Sequence, residues 1–187
     1  MDETRKPLVK ETRLPRPARA GQPERLDYEY KRHGTAHVFM FREPMAGRRR
    51  VAVTDRRTKC DWAEPVRTML DVQSPRAERV TPVMDNLNTH ALASRYDAFE
   101  AREARRLIAR VVDVYTPKHG SWLNMAEIEL SALSRQCMGD RVPDQPTLAA
   151  AVDRGRKDRN TRRSTIDWRF TTADARTKLR RLYPKIN

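Results

Sequence analysis

Short apolar runs bounded by turn residues lie at 35–42 (TAHVFMFR) and 50–54 (RVAVT), and both read as β-strands. Between them EPMAG reads as a turn, with Pro44 and Gly47 as its breakers. Trp62, Val66 and Leu70 then recur every four residues, which predicts a helix over 61–72. Pro65 fits such a helix only near its first turn. A short apolar run at 79–84 (RVTPVM) stops at Asp85. The Ala-, Arg- and Glu-rich stretch 91–110 predicts one helix, and 111–115 (VVDVY) a short strand. Residues 123–138 have the strongest helical pattern, followed by weaker helices at 147–159 and 171–182. Gly155 falls inside the first of these, at a cost of about 1 kcal/mol. Residues 1–27 are charged and carry prolines at 7, 15, 17 and 23, so they read as a loop or arm. Strands alternating with helices after residue 60 point to a mixed α/β sheet.

A chain of 187 residues is long enough for one domain with a real core and arms. Lys and Arg number 39 against 25 acids, a formal charge of +14. Such an excess calls for a polyanion or an anionic surface. Arginine dominates the basic residues, and its planar fork suits phosphate, so nucleic acid is favoured over membrane. No apolar run approaches a membrane span, and the start of the chain has no signal-peptide core. Cys60 and Cys137 are isolated, without the paired spacing of a zinc site.

Three acids stand out by position. Asp85 ends an apolar strand in VMDNLNTH, at the strand end where open sheets place ligands, although an Asp-Asn turn capping the next helix fits equally. On an ideal helix Glu127 shares the face of Leu123 and Leu130, where a carboxylate is costly unless it is paired or bound to metal. Glu129 points roughly 200° away from it. Asp2, followed at once by Glu3, has no support from composition, since terminal residues usually fray. The run RGRKDRNTRR at 154–163 is a solvated surface or a phosphate-binding one.

The strings MDETRKPLV, RVTPVMDNLNTH and YTPKHGSWLNMAEIELSALSRQC resemble bacterial insertion-sequence transposases related to the mariner elements. More narrowly, they and GQPERLDYEYKRHGTAHVFMF, VTDRRTKCDW and IDWRFTTADARTKLRRLYP look like the insertion-sequence 630 family. The resemblance implies an RNase H-like (retroviral-integrase-type) mixed sheet flanked by helices. It implies a catalytic domain over 1–140 and a basic helical extension over 141–187. It also implies a triad of Asp2, Asp85 and Glu127. Those carboxylates would hold two Mg²⁺ or Mn²⁺ ions, since hard cations prefer oxygen ligands, for metal-dependent DNA cleavage and strand transfer. Asn86, His90 and His119 are expected to contact DNA or to support the acids, with Trp122 shaping the rim. Arg154, Arg156, Lys157, Arg159, Arg162 and Arg163 are expected to grip phosphates without reading sequence. Trp62 and Trp168 read as core residues. The implied partners are double-stranded DNA, a second protomer and a separately encoded helix-turn-helix protein, at the nucleoid in the cytoplasm.

One departure from the family pattern matters. Only Met1 precedes Asp2, so the hydrophobic strand that leads into this aspartate is expected to be truncated and Asp2 to be tethered to nothing. The helix-turn-helix region of the family is expected to be absent too. A non-catalytic DNA-binding remnant is therefore the main rival, and a nuclease acting on RNA–DNA hybrids the second.

Overall fold

One strand with both faces buried organises the molecule, which is described by a computed structural model for residues 1–118, 120–139 and 141–182. β2 (Tyr30–Glu43) places Ala36, Val38 and Met40 in one apolar cluster and Phe39 and Phe41 in another. Successive side chains of a strand point to opposite faces, so β2 has to lie inside a sheet covered on both sides. Its neighbours flank it in the order β1-β2-β3. β1 (Asp2–Glu11) pairs antiparallel with it from Asp2 opposite Met40 to Glu11 opposite Tyr30, with a register shift between Pro7 and Val9. Proline has no N–H to give to the ladder, and the shift begins where that donor is missing. β3 (Arg48–Thr54) returns along the other side after the turn at 44–47, where Gly47 takes φ 62°.

The arm expected over 1–27 is thus a strand for its first part. The apolar pattern missed β1 because Leu8 is its only buried apolar side chain. Its stability comes from backbone pairing, which leaves no hydrophobic signature. Asp2 is accordingly not untethered: it is the first residue of this strand.

A second, parallel pair of strands, β4 (Val83–Met84) and β5 (Val114–Tyr115), lies next to this sheet. Their ladder continues outward through Val112 N–H to the Val80 carbonyl (3.0 Å) and Thr116 N–H to the Met84 carbonyl (2.8 Å). The two sheets touch where the Met1 amine donates to the Val83 carbonyl.

Helices cover both faces. α1 (Lys59–Thr68) starts at a Thr58/Asp61 capping box and buries Trp62 and Val66 against the Phe39/Phe41 face. Pro65 sits in its second turn rather than its first, and the helix loosens into a π turn over Met69–Gln73. The crossover from β4 to β5 is two helices, α2 (Ser94–Ala98) and α3 (Ala101–Ala109), rather than one. The break falls at Phe99, which is extended (φ −132°, ψ 156°) so that its ring packs against the core. α4 (Met125–Cys137) and α5 (Gln145–Thr161) cover the other face through Ala126, Leu130, Leu133, Leu148 and Val152. Residues beyond 140 therefore contribute to the same core as the sheet. α6 (Thr172–Lys178) is peripheral. Trp62 is fully buried, whereas Trp168 is half-buried, edge-on to Phe170 at 6.3 Å. Among the described residues no helix is long and apolar enough to cross a membrane.

Gly155 has a packing reason. A Cβ there would overlap Cys137 Sγ, so the glycine lets α5 approach α4 closely. Gly155→Ala is expected to destabilise the fold by about 1 kcal/mol, because overpacking outweighs the gain in helix propensity. Adding Cys137→Ala should restore or exceed the parental stability. Urea unfolding midpoints check both variants, and a stabilised single variant would contradict the close approach.

Candidate active site

The strand alternation of β1 separates two adjacent acids. Asp2 is opposite Met40 and takes the face covered by α4, while Glu3 is opposite Phe39 and takes the face covered by α1. Burial pushes the Asp2 carboxyl up to about 6, against the pull of the Glu3 N–H donating to Oδ1 (2.8 Å). The negative charges of Asp85 and Glu127 raise it further. Two acids from distant segments thus act on Asp2, which opens β1: one follows β4, and one lies in the first turn of α4.

Asp85 is about one quarter exposed. Burial would raise its pKa, but His90 at 2.9 Å from Oδ1 more than offsets this and holds it below the ordinary value. Asn124 links the start of β1 to α4: its Oδ1 caps the helix at the Ala126 N–H (3.1 Å), and its amide donates to the Met1 carbonyl (2.6 Å). The sequence offers the capping residue, an Asn before a helical pattern. The bond to Met1 is tertiary and has no local signal.

Glu127 differs from expectation. The helical spacing puts it on the inward face with Leu123 and Leu130, but it is exposed. Leu123 belongs to a 3₁₀ turn (Ser121–Leu123), not to the helix, and the inward stripe of α4 is Ala126, Glu129, Leu130 and Leu133. Glu127 sits on the flank of that stripe, at the rim beside Asp2, where the helix N-terminus favours negative charge. The acid that is buried is Glu129, with a side chain 1% exposed. Arg42 (2.7 Å), Arg49 and Arg159 (3.1 Å) converge on it.

On the opposite face of β1 lies a buried polar network, of which the sequence singles out only His90. His90 is fully buried, with Nε2 3.5 Å from Glu3 Oε2 and Nδ1 donating to the Asp85 carbonyl oxygen (3.2 Å). Its ring stacks on Trp62 at 5.6 Å, and the buried Arg95 guanidinium lies 5.0 Å from the Trp62 ring. Arg95 in turn pairs with both oxygens of Asp113 (2.9 and 3.0 Å). Burial alone would lower the His90 pKa, but the neighbouring Asp85 and Glu3 carboxylates push it up to about 9.

These positions revise several expected DNA contacts. His90 is fully buried and cannot reach DNA in this structure. Arg159 is committed to Glu129, so it holds the fold together rather than a phosphate. Arg156 and Lys157 pair with Asp153, and Arg162 with Asp158, all near the surface. Arg154 and Arg163 are exposed. Asn86 is exposed and donates to the Thr116 carbonyl (3.1 Å), joining the ends of β4 and β5. Trp122 packs edge-on to Phe170 (5.0 Å) with Lys178 Nζ 4.7 Å from its ring centroid. His119 lies outside the described residues. A cavity of about 830 Å³ is lined by Met1, Val83 and Asn124 and by Arg42, Arg50 and Arg156, but not by Asp2, Asp85 or Glu127.

The donors of the site are all carboxylates, which suits a hard divalent cation. Their repulsion, which adds to burial in raising the Asp2 pKa, is what such a cation would relieve. Among the described residues, however, no three acid, His or Cys side chains stand close enough to form a ready-made metal cluster. The acids share a field rather than a finished coordination sphere.

A family model described as DDE superfamily endonuclease matches residues 1–149. No curated protein and no solved structure gives a match.

Proposed function

We propose, from the premise that this chain belongs to the DDE superfamily endonuclease family, that it is the catalytic part of a transposase of the insertion-sequence 630 type, with an RNase H-like fold. The observation that carries this reading is the convergence of the three acid-bearing segments on Met1: its amine donates to the carbonyl of Val83, two residues before Asp85, and its carbonyl accepts from Asn124, three residues before Glu127. In it, Asp2, Asp85 and Glu127 hold divalent metal, Mg²⁺ or Mn²⁺. When bound, such ions activate an attacking oxygen and stabilise a leaving one at a phosphodiester. Asp2 and Asp85 hold the inner part of the site from neighbouring strands, and Glu127 approaches from the rim. Asn124 keeps the start of β1 against α4, so that the acids of these two elements stay in register. Exposed cations along and after α5, Arg154, Lys157 and Arg163 among them, neutralise phosphates without reading bases.

A second reading is favoured by one observation, the lack of a ready-made three-ligand cluster among the described residues. It is a DNA-binding protein that does not cut. One experiment separates the two. The 187-residue protein is incubated with duplex DNA carrying terminal inverted repeats, and with an RNA–DNA hybrid, in Mg²⁺, Mn²⁺ or EDTA. The expected result is metal-dependent nicking and joining of the duplex. Binding should weaken linearly in log–log salt plots, with a slope near −0.9 per phosphate contacted. Binding with that slope but no cleavage in either metal establishes the second reading. Preferential cleavage of the hybrid replaces both with a hybrid nuclease.

A further inference from the structure

We propose that Glu3 and His90 are positioning residues for Asp85, tying that carboxylate to β1 from the face opposite Asp2. This rests on the reading of Asp85 as a metal-holding carboxylate. The geometry runs as one chain. Glu3 follows Asp2 on the same strand and points to the other face. Its carboxylate faces His90 Nε2 at 3.5 Å, and Nδ1 of the same ring lies 2.9 Å from Asp85 Oδ1. The Arg57 guanidinium lies 3.0 Å from the remaining Glu3 oxygen.

The imidazole has little freedom to leave this position. Trp62 is stacked on it with an interplanar angle of 29°. Arg95 lies over the Trp62 ring, and the Asp113 carboxylate holds Arg95 through both oxygens. The Tyr115 hydroxyl donates to the His90 carbonyl at 2.9 Å, which fixes the backbone to β5.

Packing alone does not call for these residue types. An apolar ring would fill the same space without the cost of burying an imidazole between two carboxylates. The polar groups span the gap between two segments that hydrogen-bond only where Met1 meets Val83, namely the start of β1 and the end of β4. Asn124 ties β1 to α4 through Met1 in the same way. The segments of the two outlying acids are thus each linked to the start of the chain by polar side chains.

Outer groups that orient a metal-holding carboxylate typically contribute 10–100-fold in metal affinity or activity. The test is Mn²⁺ binding to the full chain, measured by titration calorimetry, alongside the metal concentration giving half-maximal DNA cleavage. His90→Phe keeps the ring stacked on Trp62 and removes its polar contacts to Glu3 and to the carboxylate and carbonyl of Asp85. It is expected to weaken Mn²⁺ binding about 10–100-fold and to raise the half-maximal concentration in parallel, with the far-ultraviolet circular dichroism spectrum unchanged. Glu3→Leu should behave alike, while Glu3→Gln, which keeps an acceptor for Nε2, should recover most of the affinity.

Trp62→Phe loosens the packing around the ring without touching its polar contacts. If it weakens Mn²⁺ binding as much as His90→Phe does, or if folded His90→Phe and Glu3→Leu bind Mn²⁺ normally, the proposal is overturned. Asp85→Asn is titrated beside them. Unchanged Mn²⁺ binding there overturns the metal reading itself. Binding lost in Asp85→Asn but kept in His90→Phe overturns the positioning role alone.

Discussion

Asp85→Asn is expected to reduce metal-dependent DNA cleavage by at least about 10³-fold, roughly 4 kcal/mol of transition-state stabilisation at 1.36 kcal/mol per decade. Asparagine has nearly the same shape and keeps one oxygen, so the fold is preserved, but it carries no charge to hold a divalent cation. A gel assay on duplex DNA, with circular dichroism to confirm folding, measures the loss. A second consequence has a definite sign. The Asp85 charge is one of the causes that raise the Asp2 pKa to about 6. Removing a like charge favours the ionised form, so the Asp2 carboxyl should titrate lower in the variant. Full activity in Asp85→Asn would remove Asp85 from the catalytic machinery, and an unmoved Asp2 titration would mean that the two carboxyls are not coupled.

Glu129→Gln is expected to cost about 3–5 kcal/mol, a large part of the 5–15 kcal/mol typical of a whole domain. Arg42 and Arg49 are directly opposite each other on β2 and β3, where like charges repel. Both side chains are 1% exposed, and the Glu129 carboxylate lies between them and Arg159 of α5. Burial and the neighbouring guanidinium groups lower the Arg42 pKa, while Glu129 pulls it back up. Without the carboxylate, three guanidiniums face one another in the interior. Urea unfolding measures the loss, and one below about 1 kcal/mol would contradict the assignment. Adding Arg42→Met to Glu129→Gln should recover part of it, since one uncompensated buried charge is gone. The pH dependence follows from the same group. Burial would raise the Glu129 pKa, but its arginine partners hold it below the ordinary 4.5. Its contribution is therefore complete above about pH 4.5 and is lost as the pH falls through the lower folded value.

Much of the architecture was legible in the sequence because it rests on short-range patterns. The apolar runs of β2 and β3 and the turn between them came through within a few residues, as did the helical spacing of α1, α4 and α5. Each element carries its own buried stripe or its own breakers. β1 was not legible, because its place depends on backbone pairing with β2 rather than on a hydrophobic period. The break at Phe99 was hidden for a related reason, since the ring is drawn to a core that the local sequence does not contain.

The candidate site divides along the same line. The sequence by itself determined the residue types and their chemistry: a carboxylate ending an apolar run at Asp85, acids at the start of a helix at 127 and 129, and a strongly basic chain suited to phosphate. Only the tertiary structure decided which of those helix acids is internal. The start of α4 at Met125 turns Glu129 inward onto three arginines and leaves Glu127 at the rim. It also made His90 a buried spacer rather than a surface group, and brought Asp2 within the field of Asp85 and Glu127. Local spacing fixes the direction of a side chain only relative to its own element. The helix start, the strand register and the packing of one element on another, all set by contacts distant in sequence, turn that direction into a place in the molecule.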